Sequence, residues 1–356
     1  MLRKFLTTAI AMASITIAFS QDSTVTEEKK PTVTISGSLD AYYRYNFQNA
    51  KDSGHLNNLT SFTNSQNSFE LGMASLKAEA SFGKAGAVVD LGFGRRATEF
   101  SYNDGGVLAA IKQAYVTFAP SDKIKFSFGK WGTHVGYEVL DAYLNRNYSM
   151  SYMFSYGPFF HTGLKADVTL GNFGFMLGVV NPTDFVSASF AKKNVIAQVS
   201  GGSSSGKFKG YLNYVGGKDY SDTYSANQVD LVLLGTVTDQ FSVGYNGTYK
   251  SLKDPADDKY SFWGSALYLN LDPSPTFGVT LRGEIFDDKK NGTLGYIGTS
   301  MFAGTLSANI KIDNLTIIPE FRLDSAKDPY FFKNSDSDNP TSKGTGSFIL
   351  AATYHF

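Results

Sequence analysis

From Val33 to Phe47 the chain alternates without a break: Val33, Ile35, Gly37, Leu39, Ala41, Tyr43, Tyr45 and Phe47 share one parity, while Thr34, Ser36, Ser38, Asp40, Tyr42, Arg44 and Asn46 share the other. Successive side chains of a β-strand point to opposite faces, so this segment reads as a strand with an apolar face and a polar one. A helix would gather Leu39, Asp40 and Arg44 into one stripe, and only the strand separates them. The same period recurs to the carboxyl end. Beyond the first twenty or so residues no window is apolar for long enough to make a spanning helix. The 21 Tyr and 29 Phe bring aromatics to 15%, yet the mean hydropathy stays slightly polar. Rings and polar groups must therefore share the chain by alternation. That is the pattern of a barrel whose strands meet lipid on one face and water or packed polar groups on the other.

The amino terminus carries Arg3 and Lys4, an uncharged apolar run from Phe5 to Ala18, and a small-residue site at Ala18-Phe19-Ser20. This reads as a secretory signal peptide, residues 1–20, cut near Ser20/Gln21. Residues 21–31 read as a flexible periplasmic lead-in and 32–356 as the barrel. With 0 Cys there is neither a disulfide framework nor a cysteine to lipidate. Taking Arg3 and Lys4 from the 32 basic residues leaves 30 against 32 acidic ones. So even a balance points away from nucleic acid as a partner.

In chain order, 48–66 reads as a long polar loop. Phe69, Leu71 and Met73 open a second strand on the lipid face, with a parity slip near Ala74 and Ser75 that suggests a β-bulge. Ala87, Val89, Leu91 and Phe93 face lipid in a third strand, and Arg95 and Arg96 reach for headgroup level at its far end. The fourth strand, Val107 to Phe118, poses a conflict. Putting Ala114, Val116 and Phe118 on lipid puts Lys112 there too, at about 2 to 4 kcal/mol for a lysine at mid-depth, whereas turning Lys112 inward moves Tyr115 to lipid. Ile124, Phe126 and Phe128 face outward in the fifth. The sixth, Phe160 to Leu170, ends at the turn Gly171-Asn172. Later lipid faces are Phe241, Val243, Tyr245 and Tyr249; Phe277, Val279, Leu281 and Ile285; Phe302, Leu306, Ala308 and Ile310; and Leu315, Ile317, Phe321 and Leu323. Polar segments 216–224, 252–259, 287–293 and 326–345 separate them on one side, with short connections on the other. The expected fold is all-β: a transmembrane antiparallel up-and-down barrel of about 16 strands, both ends periplasmic, wide enough for an aqueous channel. A soluble β-helix or string of sandwiches is the competing fold, which the aromatic strand ends and alternating connection lengths disfavour.

The last strand has Phe348, Leu350, Ala352, Tyr354 and Phe356 on one face. A strand ending the chain on an aromatic resembles the terminal signal by which outer-membrane barrels engage their assembly machinery, with Tyr354 and Phe356 carrying it. The connection after strand five, Trp131 to Pro158, is too long for an ordinary hairpin loop and rich in Tyr137, Tyr143, Tyr148, Tyr152, Met153, Phe154 and Tyr156. Such rings suit a loop folded back into the lumen. Residues 134–157 are then a constriction, with Glu138, Asp141, Tyr143, Arg146 and Tyr148 at its narrowest part. Packing against a neighbouring subunit or the barrel rim is the alternative. The run Gly129-Lys130-Trp131-Gly132-Thr133, then Gly136-Tyr137-Glu138, Asn147-Tyr148-Ser149, Pro158 and His161-Thr162-Gly163, resembles the putative β-barrel porin-2 family of outer-membrane porins in Bacteroidota, as does Leu315 to Asp324. The resemblance covers the chain from about Val33. It implies a passive diffusion channel for small hydrophilic solutes and names no solute.

On these facings the lumen receives Asp40 and Arg44, Asp90 and Arg96, Lys165 and Asp167, Arg282 and Glu284, and Glu320 and Arg322. They are the candidate pore lining. Pairing of these neighbours with each other, merely to satisfy a wet wall, is the plainer reading. An enzyme of the barrel class would need a nucleophile, a base and a carboxylate together. The 4 His are His55, His134, His161 and His355, and with Ser149 they form no motif of that kind. Asp336 and Asp338 lack the closing Glu of a calcium loop, so neither metal nor cofactor is expected. An adhesion or assembly subunit would use the same barrel. An energised transporter would need a plug domain ahead of the first strand. Outer-membrane lipids are expected partners, and a homotrimer or larger complex is open.

Overall fold

The computed structural model describes residues 30–48, 56–334 and 339–356. The expected signal peptide and nearly all of the lead-in lie outside them, as do His55, Asp336 and Asp338. The strands run β1 Thr32–Asn46, β2 Ser68–Phe82, β3 Ala85–Phe93, β4 Ile111–Ser121, β5 Ile124–Gly132, β6 Phe160–Leu170, β7 Phe173–Val180 and β8 Asn194–Gly202. The second half adds β9 Phe208–Lys218, β10 Ser225–Thr236, β11 Phe241–Lys253, β12 Lys259–Ser274, β13 Phe277–Lys290, β14 Ser300–Ile312, β15 Leu315–Ala326 and β16 Gly344–His355. Each is antiparallel to its sequence neighbours, and β1 pairs with β16 to close the ring. Closure leaves no strand edge unpaired, which a sheet in hydrocarbon requires.

The facing follows the alternation. Val33 and Ile35 are 61% and 63% exposed on the outside of β1, whereas Asp40 and Arg44 are 3% and 2% exposed on the inside. At the closure Asp40 sits opposite Thr353 and Ala41 opposite Ala352. Beyond this register Phe356 N donates to Gly37 O at 3.0 Å and Gly37 N to Phe356 O at 3.1 Å. The terminal ring lies over Gly37, where an added Cβ would come within 2.6 Å of Phe356 Cζ. The small residue on β1 is thus what lets the last aromatic seal the seam.

Two bulges correct the strand readings. In β1–β2 the register jumps so that Asp40 faces Met73 and Ala41 faces Leu71, leaving Gly72 as the extra residue. The parity slip falls there rather than at Ala74, and Met73, expected on lipid, is buried inside. In β3–β4 Asp90 faces Gln113 and Leu91 faces Ile111, so Lys112 is the extra residue. This dissolves the conflict over that strand: Lys112 points inward at 2% exposure while Val116 and Phe118 still face lipid. An inserted residue flips parity locally, and the lysine avoids the lipid cost. The strand also starts later than expected, since Gly106–Ala110 is a 3₁₀ turn.

Arg95 and Arg96 are likewise not at a strand end reaching for headgroups. They open a short helix, Arg95–Phe100, in which Arg96 and Phe100 are buried. The short connections, such as 83–84, 171–172 and 313–314, share one end of the barrel with the start of β1 and the end of β16, and the long ones share the other. Strands run further into the late polar segments than expected, to Lys218, Lys253 and Lys290, because inward polar residues keep the alternation going. The buried rings collect at the long-loop end inside the barrel. Phe62, Phe100, Phe154, Phe159 and Phe160 form one cluster, and Tyr152, Phe262, Tyr268 and Phe286 belong to another.

Candidate functional site

The 133–159 loop leaves β5 with Thr133 N donating to Phe159 O at 2.9 Å, which closes its base. Its first limb follows the inner wall of β9 to β12. His134 Nε2 lies 3.2 Å from Tyr214 O, Gly136 N donates to Asp230 Oδ1 at 3.0 Å, and the Tyr137 ring stacks 4.0 Å from that of Tyr268. The loop then dips towards the short-turn end. Lys112 Nζ on β4 donates to Asp141 Oδ1 at 2.5 Å, Tyr143 stacks on His355 at 4.9 Å, and Arg146 grips Asp272 on β12 through two bonds of 2.7 and 3.0 Å. In a ring of sixteen strands β4 and β12 are half a turn apart, so this one loop spans the lumen from wall to opposite wall.

The return limb is held by charge. Tyr148 N and Ser149 N donate to Glu320 at 2.7 and 3.0 Å, and Tyr148 Oη donates to Asp40 Oδ2 at 2.5 Å. Arg282, wholly buried, bridges Glu138 at 2.5 Å and Glu284 at 3.5 Å, and donates to Ser149 O at 2.7 Å. Arg322 pairs with Asp324 at 2.8 Å and donates to Met150 O at 2.7 Å. Arg96 lies 3.8 Å from Asp40 and over the rings of Phe62 and Tyr148. Buried charges persist only when paired and hydrogen-bonded, and here the loop supplies partners beside those on the wall.

The sequence neighbours therefore divide. Lys165 and Asp167 meet at 3.2 Å, and Arg282 meets Glu284. Asp90 pairs with Lys112 at 3.1 Å rather than with Arg96, and Arg44 donates to the carbonyls of Leu56, Asn57 and Ser65 rather than to Asp40. Glu320 receives loop amides and Ser307 Oγ rather than Arg322. His161 Nε2 lies 3.0 Å from Thr133 Oγ1, while Ser149 Oγ is within reach of Arg282 on another wall.

Gly72 makes the central contact possible. A Cβ there would stand 1.8 Å from Asp40 Oδ2 and 2.7 Å from Tyr148 Oη. Gly72→Ala is expected to push Asp40 off Tyr148 and to lower the urea midpoint of the refolded barrel, at a cost of roughly 1 to 3 kcal/mol for such overpacking. An unchanged midpoint would count against the contact.

Two cavities among the described residues border the loop. One of about 710 Å³ opens at the long-loop end among Tyr102, Tyr156, Phe159, Phe185, Tyr220 and Tyr296, with Lys250 and Gln228 on its barrel wall. The other, about 370 Å³, lies beneath the loop between Arg146 and the wall residues Gln198, Asn213 and Val232. None of the ten candidate lining charges borders either, although Arg146 of the loop borders the second. Sequence reading missed Asp184, Asp230 and Lys250, of which the last two were legible as inward parity positions. Burial pushes the Asp184 carboxyl up to about 6, against the amides of Phe160 and Phe159 and the Tyr102 hydroxyl that donate to it.

A family described as "Putative beta-barrel porin-2, OmpL-like" matches residues 32–356. No curated protein matches the chain at a significant level. Among solved structures, the anion-selective porin from Comamonas acidovorans is similar at TM-score 0.61 and 10% identity, covering 92% of this chain and 100% of its own. The outer membrane channel DcaP of Acinetobacter baumannii gives 0.62 and 12%, covering 92% and 97%. OmpT of Vibrio cholerae, in a trimer form, gives 0.58 and 12%, covering 92% and 99%. At such identities the likeness concerns the fold alone.

Proposed function

The chain belongs to the putative β-barrel porin-2, OmpL-like family and is an outer-membrane porin; we propose that it passes small hydrophilic solutes by passive diffusion through a lumen narrowed by residues 134–157. Short turns and chain ends face the periplasm, and long loops the outside, as in bacterial single-chain barrels. The observation that carries the reading is the span of the loop, from Lys112 on β4 to Asp272 on β12. A barrel of this strand number would otherwise hold an open aqueous channel. In this reading six of the ten lumen charges, Asp40, Arg96, Arg282, Glu284, Glu320 and Arg322, act through the loop: they hold it against the wall and so shape the passage, which is left to the amide-rich side of β8 to β11. No catalysis is assigned, since Arg282 engages Ser149 on β13's side while His161 is engaged by Thr133 at β6. We also propose a homotrimer, supported by the trimer form of the Vibrio relative.

One experiment tests both statements: single-channel recording of the purified, refolded protein in a planar bilayer, with a salt gradient for ion selectivity. Ohmic conductance with weak selectivity is expected, because most lumen charges are paired, and channels should close in three equal steps. A correctly folded barrel that does not conduct would sink the diffusion reading and leave an assembly or adhesion subunit. Single closures would sink the trimer.

A further inference from the structure

The lumen cations are nearly all spoken for. Arg96, Lys112, Lys130, Arg146, Arg282 and Arg322 each lie within 4 Å of a carboxylate, and Arg44 is held by three carbonyls. Lys250 differs. It shares the inward parity of Asn246 and Thr248 on β11, is half-buried, and forms no ion pair among the described residues. Its Nζ stands 5.7 Å from the centroid of Phe262, and Lys250 and Phe262 both line the 710 Å³ cavity.

Three carboxylates border the same cavity; Asp184 feels the charge of Lys250 without forming an ion pair with it, and all three take their hydrogen bonds from other groups. Asp184 takes the amides of Phe159 and Phe160 and the hydroxyl of Tyr102. Glu99 takes Phe62 N and Asn64 Nδ2, and Asp219 takes Tyr224 N and Ser221 Oγ. The other lysine of the cavity, Lys218, has Asp222 at 3.7 Å. Aromatic faces supply the remaining wall, including Phe185 and Tyr220, which stack 4.5 Å apart at 18°. An ammonium withdrawn from bulk water, with donors to spare, attracts an anion, and ring faces favour a flat apolar body beside it.

We propose that Lys250 and this ring-walled vestibule form a binding subsite for small organic anions, with a carboxylate on Lys250 Nζ and a flat or ring-shaped body against the aromatic wall. The proposal rests on the channel reading for how a solute arrives, and not for binding itself. It is tested with benzoate, titrated into the refolded barrel in detergent micelles and followed by saturation-transfer NMR and calorimetry. Benzoate is expected to bind saturably, with benzyl alcohol and acetate each at least about tenfold weaker, since one lacks the charge and the other the ring. Lys250→Met should weaken benzoate by about tenfold, while Lys250→Arg keeps the cation and should retain binding. Equal benzoate affinity in wild type and Lys250→Met, or no saturable binding to the folded wild type, would overturn the subsite. Binding without bilayer conductance would remove the channel reading and leave the subsite, and conductance without binding would do the reverse.

Discussion

Replacing residues 139–146 by two glycines should raise the single-channel conductance roughly two- to fivefold, because that segment crosses the lumen. It carries Asp141 to Lys112 and Arg146 to Asp272, the two contacts on opposite walls. Its removal need not disturb the rest of the loop. Arg282 Nη1 binds Glu138 Oε1 at 2.5 Å and Ser149 O at 2.7 Å, so the two limbs already lie side by side and a short link can join them. Lys112 keeps Asp90 at 3.1 Å, and Asp272, a third exposed, is left in water. Neither stump strands a buried charge. Current–voltage recordings on the folded variant check this directly. An unchanged conductance would mean that the passage is limited elsewhere, at the mouth among Phe62, Phe100 and Phe159, and the constriction would have to be moved there.

Arg282→Met should leave a barrel that folds and a loop that does not dock. Arg282 bridges Glu138 and Glu284, with both partners also nearly fully buried. Its loss leaves Glu138 buried without a cation, while Glu284 keeps Arg322 at 3.5 Å, and breaking a buried pair in this way costs about 3 to 5 kcal/mol. The strand ladders do not depend on it, so the cost is relieved most cheaply by releasing residues 134–152 from the wall. The expected signs are new protease cuts within 133–159 in the folded protein and a noisier current. Adding Glu138→Gln removes the stranded charge and should restore part of the protection. Arg146→Met is the internal contrast: Arg146 and Asp272 are 26% and 33% exposed, and such a half-wet pair contributes about 1 kcal/mol or less. If Arg282→Met shows the wild-type cleavage pattern and a quiet current, the buried ladder is not what holds the loop.

Much of this molecule was written locally. The alternation of Val33 to Phe47, and its recurrence to Phe356, determined strands, their lipid and lumen faces, a count near the observed sixteen, and the membrane barrel itself, because facing depends only on the parity of neighbouring residues. The excess of rings between Trp131 and Pro158 already marked one connection as unlike the others. Where a single extra residue broke parity, the reading failed by a residue or two at Gly72 and stalled at Lys112, since a bulge is visible only against the partner strand. The short helix that carries Arg96 inward left no periodic signal in its six residues. Apart from neighbours such as Lys165 and Asp167 or Arg282 and Glu284, the partners of the lumen charges were beyond reach for another reason. Tyr148 meets Asp40 across 108 residues and Arg282 meets Glu138 across 144. Such pairings depend on how the ring closes and how far the loop descends, and no local pattern encodes either. For the same reason Lys250 reads in sequence as one more inward lysine, and the tertiary structure alone decides that it stands beside a ring-walled cavity with no ion pair among the described residues.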